Sequence, residues 1–182
     1  YLFNNSPFMY NNGSIEVFIV ASGNSQVDKR FICEGSSYSD NPLYAFQTNY
    51  LSPQNRLAVF LRNDALTTKI SQNAILNDVA MDGSYKILNW KDTGSSIVAR
   101  VNGGTTGSLI YSRSGSMTTN LFCIGGVLRS SFASGFSGSI KEIIISSPMS
   151  NTDSQKVEGY LAHKWDLSNS LPSDHPYKNN AP

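Results

Sequence analysis

Three glutamates lie inside short apolar runs, where a pair of carboxylates could hydrolyse a glycosidic bond. Glu16 lies in SIEVFIVA, Glu34 in RFICE and Glu142 in GSIKEIIIS. Retaining hydrolysis needs two carboxyl groups about 5–5.5 Å apart, which acids at a spacing of two on one strand could supply. Each run contains a single acid, so the pattern argues against a glycoside hydrolase. We expect these glutamates to lie on solvated strand faces.

Other catalytic patterns are equally absent from the sequence. It contains two histidines, His163 and His175, and nothing in their spacing joins them to a nucleophile or an acid. No GxSxG, HExxH, phosphate-binding or dinucleotide-binding motif occurs. The sequence therefore predicts a protein that is not an enzyme.

Four aromatic residues in or next to polar loops are candidates for binding a sugar. An exposed ring can stack on the apolar face of a sugar, because an aromatic side chain combines an apolar body with polar neighbours. Trp90 ends the apolar run SYKILNW, so packing in the core is its alternative role. The candidates are Tyr38, Tyr50, Trp90 and Tyr111.

The charge and the distribution of apolar residues argue against two classes of partner, nucleic acids and membranes. The chain has 14 basic and 13 acidic residues, a net charge of +1, and no basic run, so we expect no nucleic-acid partner. No stretch of about 18 apolar residues occurs, so we expect no membrane insertion, and the first residues do not resemble a signal peptide. Because Tyr1 is not an initiator, we expect a processed product or part of a larger chain.

The elements that must position these residues are short strands. Apolar runs bounded by turn residues span 14–21, 30–34, 42–48, 56–62, 84–90, 95–103, 108–112, 120–126 and 138–146. This rhythm, together with 28 Ser and 18 Asn residues, predicts an all-β sandwich or barrel. Asn102–Gly103 predicts a hairpin turn. Several runs are apolar on both faces, which indicates central strands or an outer face covered by another element.

One segment has the periodicity of a helix. Val157, Leu161 and Trp165 recur every four residues and predict a helix over about 152–165, with Trp165 in the core. Ser150 or Asn151 is expected to cap its start.

Two further features belong to this C-terminal region. Gly159 is unfavourable inside a helix, which indicates a close approach of the helix backbone to the sheet. The stretch 171–182 contains three prolines, so we expect residues 168–182 to form an extended tail, held by Leu171 and Tyr177. No internal repeat occurs, and the sequence predicts a single domain over 1–182.

The two cysteines, Cys33 and Cys123, lie inside apolar runs. Two buried free thiols are the favoured interpretation, since free cysteine is among the most buried residue types. A disulfide between them is the alternative. Two cysteines do not form a disulfide framework, so cysteine usage does not indicate whether the protein works in an oxidising or a reducing compartment.

The C-terminal residues resemble a known family. FSGSIKEIIIS, QKVEGYLAHKWDL and LPSDHPYKNNAP are similar to the end of concanavalin A-like, laminin-G-type jelly-roll domains of bacteriophage structural and tail-associated proteins and of some bacterial surface proteins. The resemblance implies a two-sheet antiparallel jelly-roll sandwich with one C-terminal helix. The family's helix usually ends in Lys-Trp-Gly-Leu; here Asp166 replaces the glycine, which would suit a left-handed helix end.

The resemblance also implies a possible calcium ion as a cofactor. Laminin-G-type domains often hold a calcium ion at one rim, and calcium takes six to eight oxygen ligands. No continuous calcium loop occurs, so ordinary turn roles are the alternative. The candidates are Asp40, Asn63, Asp64 and Asn102, with Asn41, Asn77 and Asp78 as neighbouring options.

These features predict a binding or structural module. The first hypothesis is a component of the virion surface, such as a capsid decoration, spike or tail-fibre domain, with other virion proteins or the rest of a larger chain as partners. Host glycans are a further expected partner. The alternative is a carbohydrate-binding module of a secreted or cell-surface bacterial protein. Fold alone does not decide between them.

Overall fold

The computed structural model describes residues 1–24, 27–48, 56–75, 81–129 and 131–182. Its strands form two large antiparallel sheets, and one helix follows the last strand. This architecture confirms the predicted all-β, two-sheet antiparallel sandwich with a C-terminal helix. The strands are β1 Leu2–Asn4, β2 Ile15–Gly23, β3 Arg30–Gly35, β4 Leu43–Thr48, β5 Leu57–Arg62, β6 Lys69–Ile75, β7 Lys86–Asp92, β8 Ser96–Val101, β9 Gly104–Ile110, β10 Leu121–Ile124, β11 Val127–Leu128, β12 Phe132–Ala133 and β13 Gly138–Ser146.

The two sheets draw their strands from distant parts of the chain. The first sheet has six strands in the order β1-β10-β3-β4-β5-β6, and the second has five in the order β13-β2-β7-β8-β9. Strands β11 and β12 form a separate two-stranded ladder. Because the order within each sheet is not the order along the chain, each sheet edge and rim combines loops that are far apart in sequence.

The core lies between the inner faces of the two sheets. Strand β8 shows the alternation clearly, since Ile97, Ala99 and Val101 are buried while the residues between them are partly exposed. Trp90 lies at the centre of this core, with its ring 5.0 Å from that of Phe46 on the opposite sheet. Trp90 is fully buried, so its alternative role in core packing is the observed one.

The outer face of the five-stranded sheet is covered by the C-terminal segment. Phe18 and Val20 on β2 point outward and pack with Leu161, Ala162 and Leu171. This contact explains why β2 is apolar on both faces.

The outer face of the six-stranded sheet has a second cover. Residues Cys33, Leu43, Phe60 and Cys123 form a small apolar cluster with Val127 of β11. Cys33 and Cys123 are directly opposite each other on β3 and β10, and both are buried free thiols. The Cys33 thiol donates a hydrogen bond to the carbonyl of Gly126, with Sγ 3.2 Å from the oxygen.

The helix α1 spans Asn151–Lys164, one residue earlier than predicted at each end. Ser150 is its N-cap, because its side-chain oxygen accepts a hydrogen bond from the amide of Asp153 at 3.1 Å. At the other end Asp166 has a φ of +58°, the left-handed conformation that a glycine would favour. Within the described ranges, no helix has the length and apolar character required to span a bilayer.

The segment after the helix is a sequence of turns rather than an extended chain. A 3₁₀ helix spans Ser168–Ser170, and the amides of His175 and Lys178 close turns on Pro172 and His175. Leu171 is buried against the sheet. Tyr177 is half-buried, and its carbonyl oxygen is 2.9 Å from Nε2 of His163.

Two expectations for this region need correction. Gly159 approaches the C-terminal tail and not the sheet, since a Cβ on it would lie 2.4 Å from Cβ of Tyr177. Trp165 is half-buried and packs against the apolar cluster under the helix, outside the core between the sheets. Its indole Nε1 donates to the Glu142 carboxylate at 2.7 Å, so the ring needs a position where it can reach a polar partner. Leu161, in contrast, is fully buried.

Two strands of the six-stranded sheet were not predicted. Strand β1 is three residues long and exposed throughout, so no alternation marks it. Strand β6 has the sequence KISQNAI, which is poor in β-branched and aromatic residues, and its pairing with β5 provides the register that its sequence does not indicate.

Candidate functional site

The loop between β3 and β4 carries the most exposed of the candidate aromatic residues. Tyr38 is 90% exposed, and short polar side chains hold the backbone beneath it. The Ser37 amide donates to Asn120 Oδ1 at 2.9 Å, and Asn120 Nδ2 donates to Ser37 Oγ at 2.7 Å. Serine and asparagine suit this role, because they bond readily to loop backbone. The loop therefore presents the Tyr38 ring on a supported base.

A cleft of about 250 Å³ opens beside this ring, lined by Tyr38, Ser39, Asp40 and Arg129. Arg129 follows β11, and its Nη1 lies 2.6 Å from Asp40 Oδ1. The carbonyl of Asp40 accepts a further bond from Arg62 Nη2 at 3.1 Å. Two arginines, one at the end of β5 and one just after β11, thus converge on the loop. We call these four lining residues the Tyr38 cleft.

The surroundings of the cleft carry an excess of positive charge. Burial lowers the pKa of Arg62, and the nearby charges of Arg129 and Arg30 lower it further, while Asp40 opposes them. Arg30 is paired with Asp28. The Arg62 guanidinium also lies over the Phe60 ring, 4.6 Å from its centroid. Arginine beside an exposed aromatic ring suits a ligand that has both a flat apolar face and an anionic group.

The Asp40–Arg129 pair is open to exchange with a ligand. The Asp40 side chain is 73% exposed and that of Arg129 24%. Exposed ion pairs contribute about 0–1 kcal/mol, so a ligand carboxylate could replace Asp40 at the guanidinium at little cost. The Tyr38 ring offers a stacking surface, and the Arg129 guanidinium offers charge and hydrogen-bond donors. These groups suit the binding of a small ligand.

The other predicted sugar-binding aromatics do not join this cleft. Trp90 lies in the core. Tyr111 is partly buried, and its hydroxyl donates to the Asp92 carboxylate at 2.7 Å. Burial, followed by the nearby Asp92 charge, raises the pKa of Tyr111. Tyr50 lies outside the described residues.

The four calcium candidates have separate protein partners. Asp40 pairs with Arg129. Asn63 Oδ1 accepts from the Thr68 amide at 3.1 Å, and Asn102 Oδ1 accepts from the Ile87 amide at 2.8 Å.

Asp64, the fourth candidate, fastens a neighbouring loop. Burial alone would raise its pKa, but hydrogen bonds from Thr118 and Ser116 together outweigh burial and leave the pKa below its ordinary value. Within the described part of the chain, no group of three or more His, Cys, Asp or Glu side chains is placed to hold a metal ion. Asn77 and Asp78 lie outside it. Calcium binding stays a prediction.

The expectation that the strand glutamates are solvated is wrong for Glu16 and Glu34, which are 0% and 1% exposed. Glu34 accepts hydrogen bonds from the amides of Phe8, Met9 and Tyr10. Buried carboxylates of this kind satisfy loop amides that would otherwise lack a partner.

The remaining two glutamates fasten the helix region. Glu16 accepts from the Met149 amide at 2.9 Å and from Ser154 Oγ at 2.7 Å. Glu142, which is partly exposed, accepts from Trp165 and Lys164. Glu34 thus bonds to the N-terminal segment, whereas Glu16 and Glu142 bond to the start and the end of the helix region.

The sequence predicted Tyr38 as a sugar-binding residue and Asp40 as a calcium ligand, and it did not indicate Arg62 or Arg129. Arg62 could have been found, because pairing β4 with β5 places it opposite Leu43 at the end of the Tyr38 loop. Arg129 had no such signal, since its approach depends on β11 folding over the outer face of β3.

Comparison with known proteins gives structural likenesses at low sequence identity. No protein-family model and no curated protein matches the sequence. The CBM40 of the Ruminococcus gnavus IT-sialidase bound to alpha2,3 sialyllactose is similar with a TM-score of 0.59 and 15% identity, over 77% of this chain and 79% of that chain.

Two larger proteins contain a similar part. A mutant of the NanB sialidase from Streptococcus pneumoniae matches with a TM-score of 0.63 and 13% identity, over 85% of this chain and 26% of that chain. The enzymatically active domain of tailspike protein 2 from bacteriophage CBA120 matches with a TM-score of 0.52 and 15% identity, over 84% of this chain and 24% of that chain. At these identities the likenesses show a shared fold.

Proposed function

We propose that this concanavalin A-like jelly roll is a glycan-binding module without catalytic activity, and that the Tyr38 cleft binds an acidic sugar. The observation that carries the proposal is the Tyr38 ring, 90% exposed, beside the guanidinium of Arg129 and its exchangeable partner Asp40. The ring stacks on the sugar, and the guanidinium binds a carboxylate of the ligand in its fork.

The likeness to a module that was crystallised with alpha2,3 sialyllactose supports this choice of ligand class. Sialyllactose is an acidic trisaccharide, and lactose is its neutral counterpart. Arg129 in the cleft and Arg62 on the carbonyl of Asp40 favour the acidic one, because complementary charge increases both the association rate and the specificity.

Calorimetric titration with sialyllactose and with lactose tests the proposal. Sialyllactose should bind, and lactose should bind at least about tenfold more weakly. Arg129→Ala should abolish the preference for sialyllactose, and Tyr38→Ala should weaken the binding of both sugars. Tyr160→Ala, which removes an exposed ring from the helix, should change neither. Parallel titrations with calcium and with EDTA test the calcium prediction.

Two results would overturn parts of this proposal. Flat titrations together with a glycan array without signal would exclude glycan binding. Hydrolysis of a glycan that disappears in a Glu16→Gln, Glu34→Gln or Glu142→Gln variant would show catalysis.

For location, we propose the surface of a virion, as a decoration, spike or tail-fibre module that contacts other virion proteins and host glycans. The support is the likeness to part of a bacteriophage tailspike and the C-terminal sequence EGYLAHKW followed by LPSDHPYK. Mass spectrometry of purified particles should detect the chain. Its absence from particles, with detection on the surface or in the medium of a bacterium, would favour the alternative of a secreted or cell-surface bacterial module.

A further inference from the structure

A second cavity lies on the outer face of the five-stranded sheet, under the start of helix α1. It has a volume of about 180 Å³, and its lining includes Glu16, Asn89, Lys91, Val98 and Arg100. Strand register assembles its floor, because Lys91 is opposite both Glu16 on β2 and Val98 on β8, and Asn89 is opposite Arg100. Ser154 of the helix completes the wall. We call this space the helix cavity.

The floor of the helix cavity contains a buried acceptor without a partner. Asn89 is 1% exposed. Its Nδ2 donates to Glu16 Oε1 and to the Val17 carbonyl, both at 3.2 Å, which fixes the orientation of the amide. Its Oδ1 is buried and has no hydrogen-bond partner within the part of the chain that the structure describes. A buried unpaired carbonyl is costly, so this atom needs a donor, which a bound molecule or a water can supply.

A donor group faces the same space. Lys91 Nζ donates to Ser154 Oγ at 3.2 Å and lies 3.6 Å from Glu16 Oε2. An ammonium has three protons, and the bond to Ser154 uses one of them, because the Glu16 oxygen at 3.6 Å lies beyond hydrogen-bonding distance. A molecule that both donates to Asn89 and accepts from Lys91 would satisfy both groups, and a hydroxyl does both.

The charges around the helix cavity cancel. Glu16 offsets Lys91, and Glu158, which is fully buried, offsets Arg100 through a bond of 2.7 Å from Nε. An ion that entered would leave one charge without compensation in a site largely removed from water, which is unfavourable. A neutral ligand avoids this cost.

The volume of the helix cavity limits the size of the ligand. A volume of 180 Å³ corresponds to about six water molecules at roughly 30 Å³ each. We propose that the helix cavity is a binding site for a compact neutral polyol, with one hydroxyl on Asn89 Oδ1, one on Lys91 Nζ and the carbon chain against Val98. This site is separate from the Tyr38 cleft and does not depend on the glycan proposal.

Nuclear magnetic resonance with glycerol as the probe tests this site in the full chain. The side-chain amide signals of Asn89 should shift saturably with glycerol, with a dissociation constant in the millimolar range. Sodium sulfate and glycine, as anionic and zwitterionic probes, should not produce a saturable shift. Tyr38→Ala should leave the glycerol response unchanged, which separates this test from that of the proposed function.

Variants locate the response. Val98→Phe fills the helix cavity and should abolish it, whereas Ile110→Phe, at a position 87% exposed on the neighbouring strand, should retain it. If Val98→Phe lowers the melting temperature, Lys91→Met provides the second test and should weaken glycerol binding severalfold. If the wild-type protein shows no saturable shift, water alone fills the cavity. The same conclusion follows if Val98→Phe and Lys91→Met both respond to glycerol as strongly as the wild type does. Binding of sulfate in place of glycerol would overturn the ligand class.

Discussion

The hydroxyl of Tyr44 on β4 donates a hydrogen bond to the carboxylate of Asp92 on β7, and so joins the two sheets through the core. Asp92 is fully buried. The same carboxylate accepts from Arg113 Nη2 and from the Tyr111 hydroxyl, each at 2.7 Å. Arg113 also lies over the Tyr10 ring, which fastens the N-terminal segment to this group.

Asp92→Asn should strongly destabilise the protein, because it leaves the Arg113 charge buried without its partner. Removing one member of a buried ion pair costs about 3–5 kcal/mol, and urea unfolding measures this change. Asp153→Asn, at a half-exposed pair on the helix surface, is the control and should change the free energy of unfolding far less. Equal effects of the two substitutions would contradict the assigned role of Asp92.

Asp82 should titrate well below an ordinary aspartate. Hydrogen bonds from the Ser84 side chain and amide, with that of Lys86, lower its pKa to about 2. Since the folded pKa is below the unfolded value, the stabilisation is fully present above pH 4 and is lost as the pH falls towards 2. Carboxyl NMR titration should give this midpoint, and Ser84→Ala should raise it more than Lys86→Met. A wild-type midpoint near 3.8 would disprove the arrangement.

Cys33 and Cys123 should be unreactive towards a thiol reagent in the native protein. They are 0% and 1% exposed, and the hydrogen bond to Cys123, with burial, raises the pKa of Cys33. Thiols react as thiolates, so both barriers suppress the reaction of Cys33. The neighbouring Cys33 thiol lowers the pKa of Cys123 to about 7, so burial alone protects Cys123. Two thiols should appear on unfolding in a colorimetric assay. If none appears until a reductant is added, the alternative of a disulfide is correct.

Gly159→Ala should destabilise the protein, although alanine is favoured over glycine in helices by about 1 kcal/mol. The new Cβ would lie 2.4 Å from Cβ of Tyr177 and should displace the tail. Unfolding in urea and protease cleavage at Lys178 report the two effects. The same substitution in a Tyr177→Gly background, where the obstructing atom is absent, should be stabilising. Stabilisation in both backgrounds would show that the tail does not press on the helix.

Local patterns predicted the elements whose conformation is set by near neighbours in sequence. Asn102–Gly103 forms the hairpin between β8 and β9 with φ values of +50° and +79°. The helix period and its serine cap placed α1 within one residue. In these places turn and cap chemistry acts over a few residues, so the sequence contains the required information.

The features that could not be predicted depend on contacts between residues far apart in the sequence. Glu34 is buried because the amides of residues 8–10 fold back on it, and no property of RFICE indicates that. The Tyr38 cleft needed Arg129, which lies 91 positions further along the chain and reaches the loop only because β10 pairs with β3. Burial and charge pairing of these residues depend on sheet order, which single-sequence patterns do not encode.

Helix α1 with its tail covers one sheet, and the ladder of β11 and β12 covers the other. Where these covers lie, the sheet faces are unavailable to a partner, whereas the Tyr38 loop is exposed. A loop that carries the contacts but few of the core residues can change by mutation without unfolding the sandwich. Under the proposed function, exchanging residues 36–41 would therefore retarget this protein, in nature or by library selection, while the scaffold is inherited unchanged.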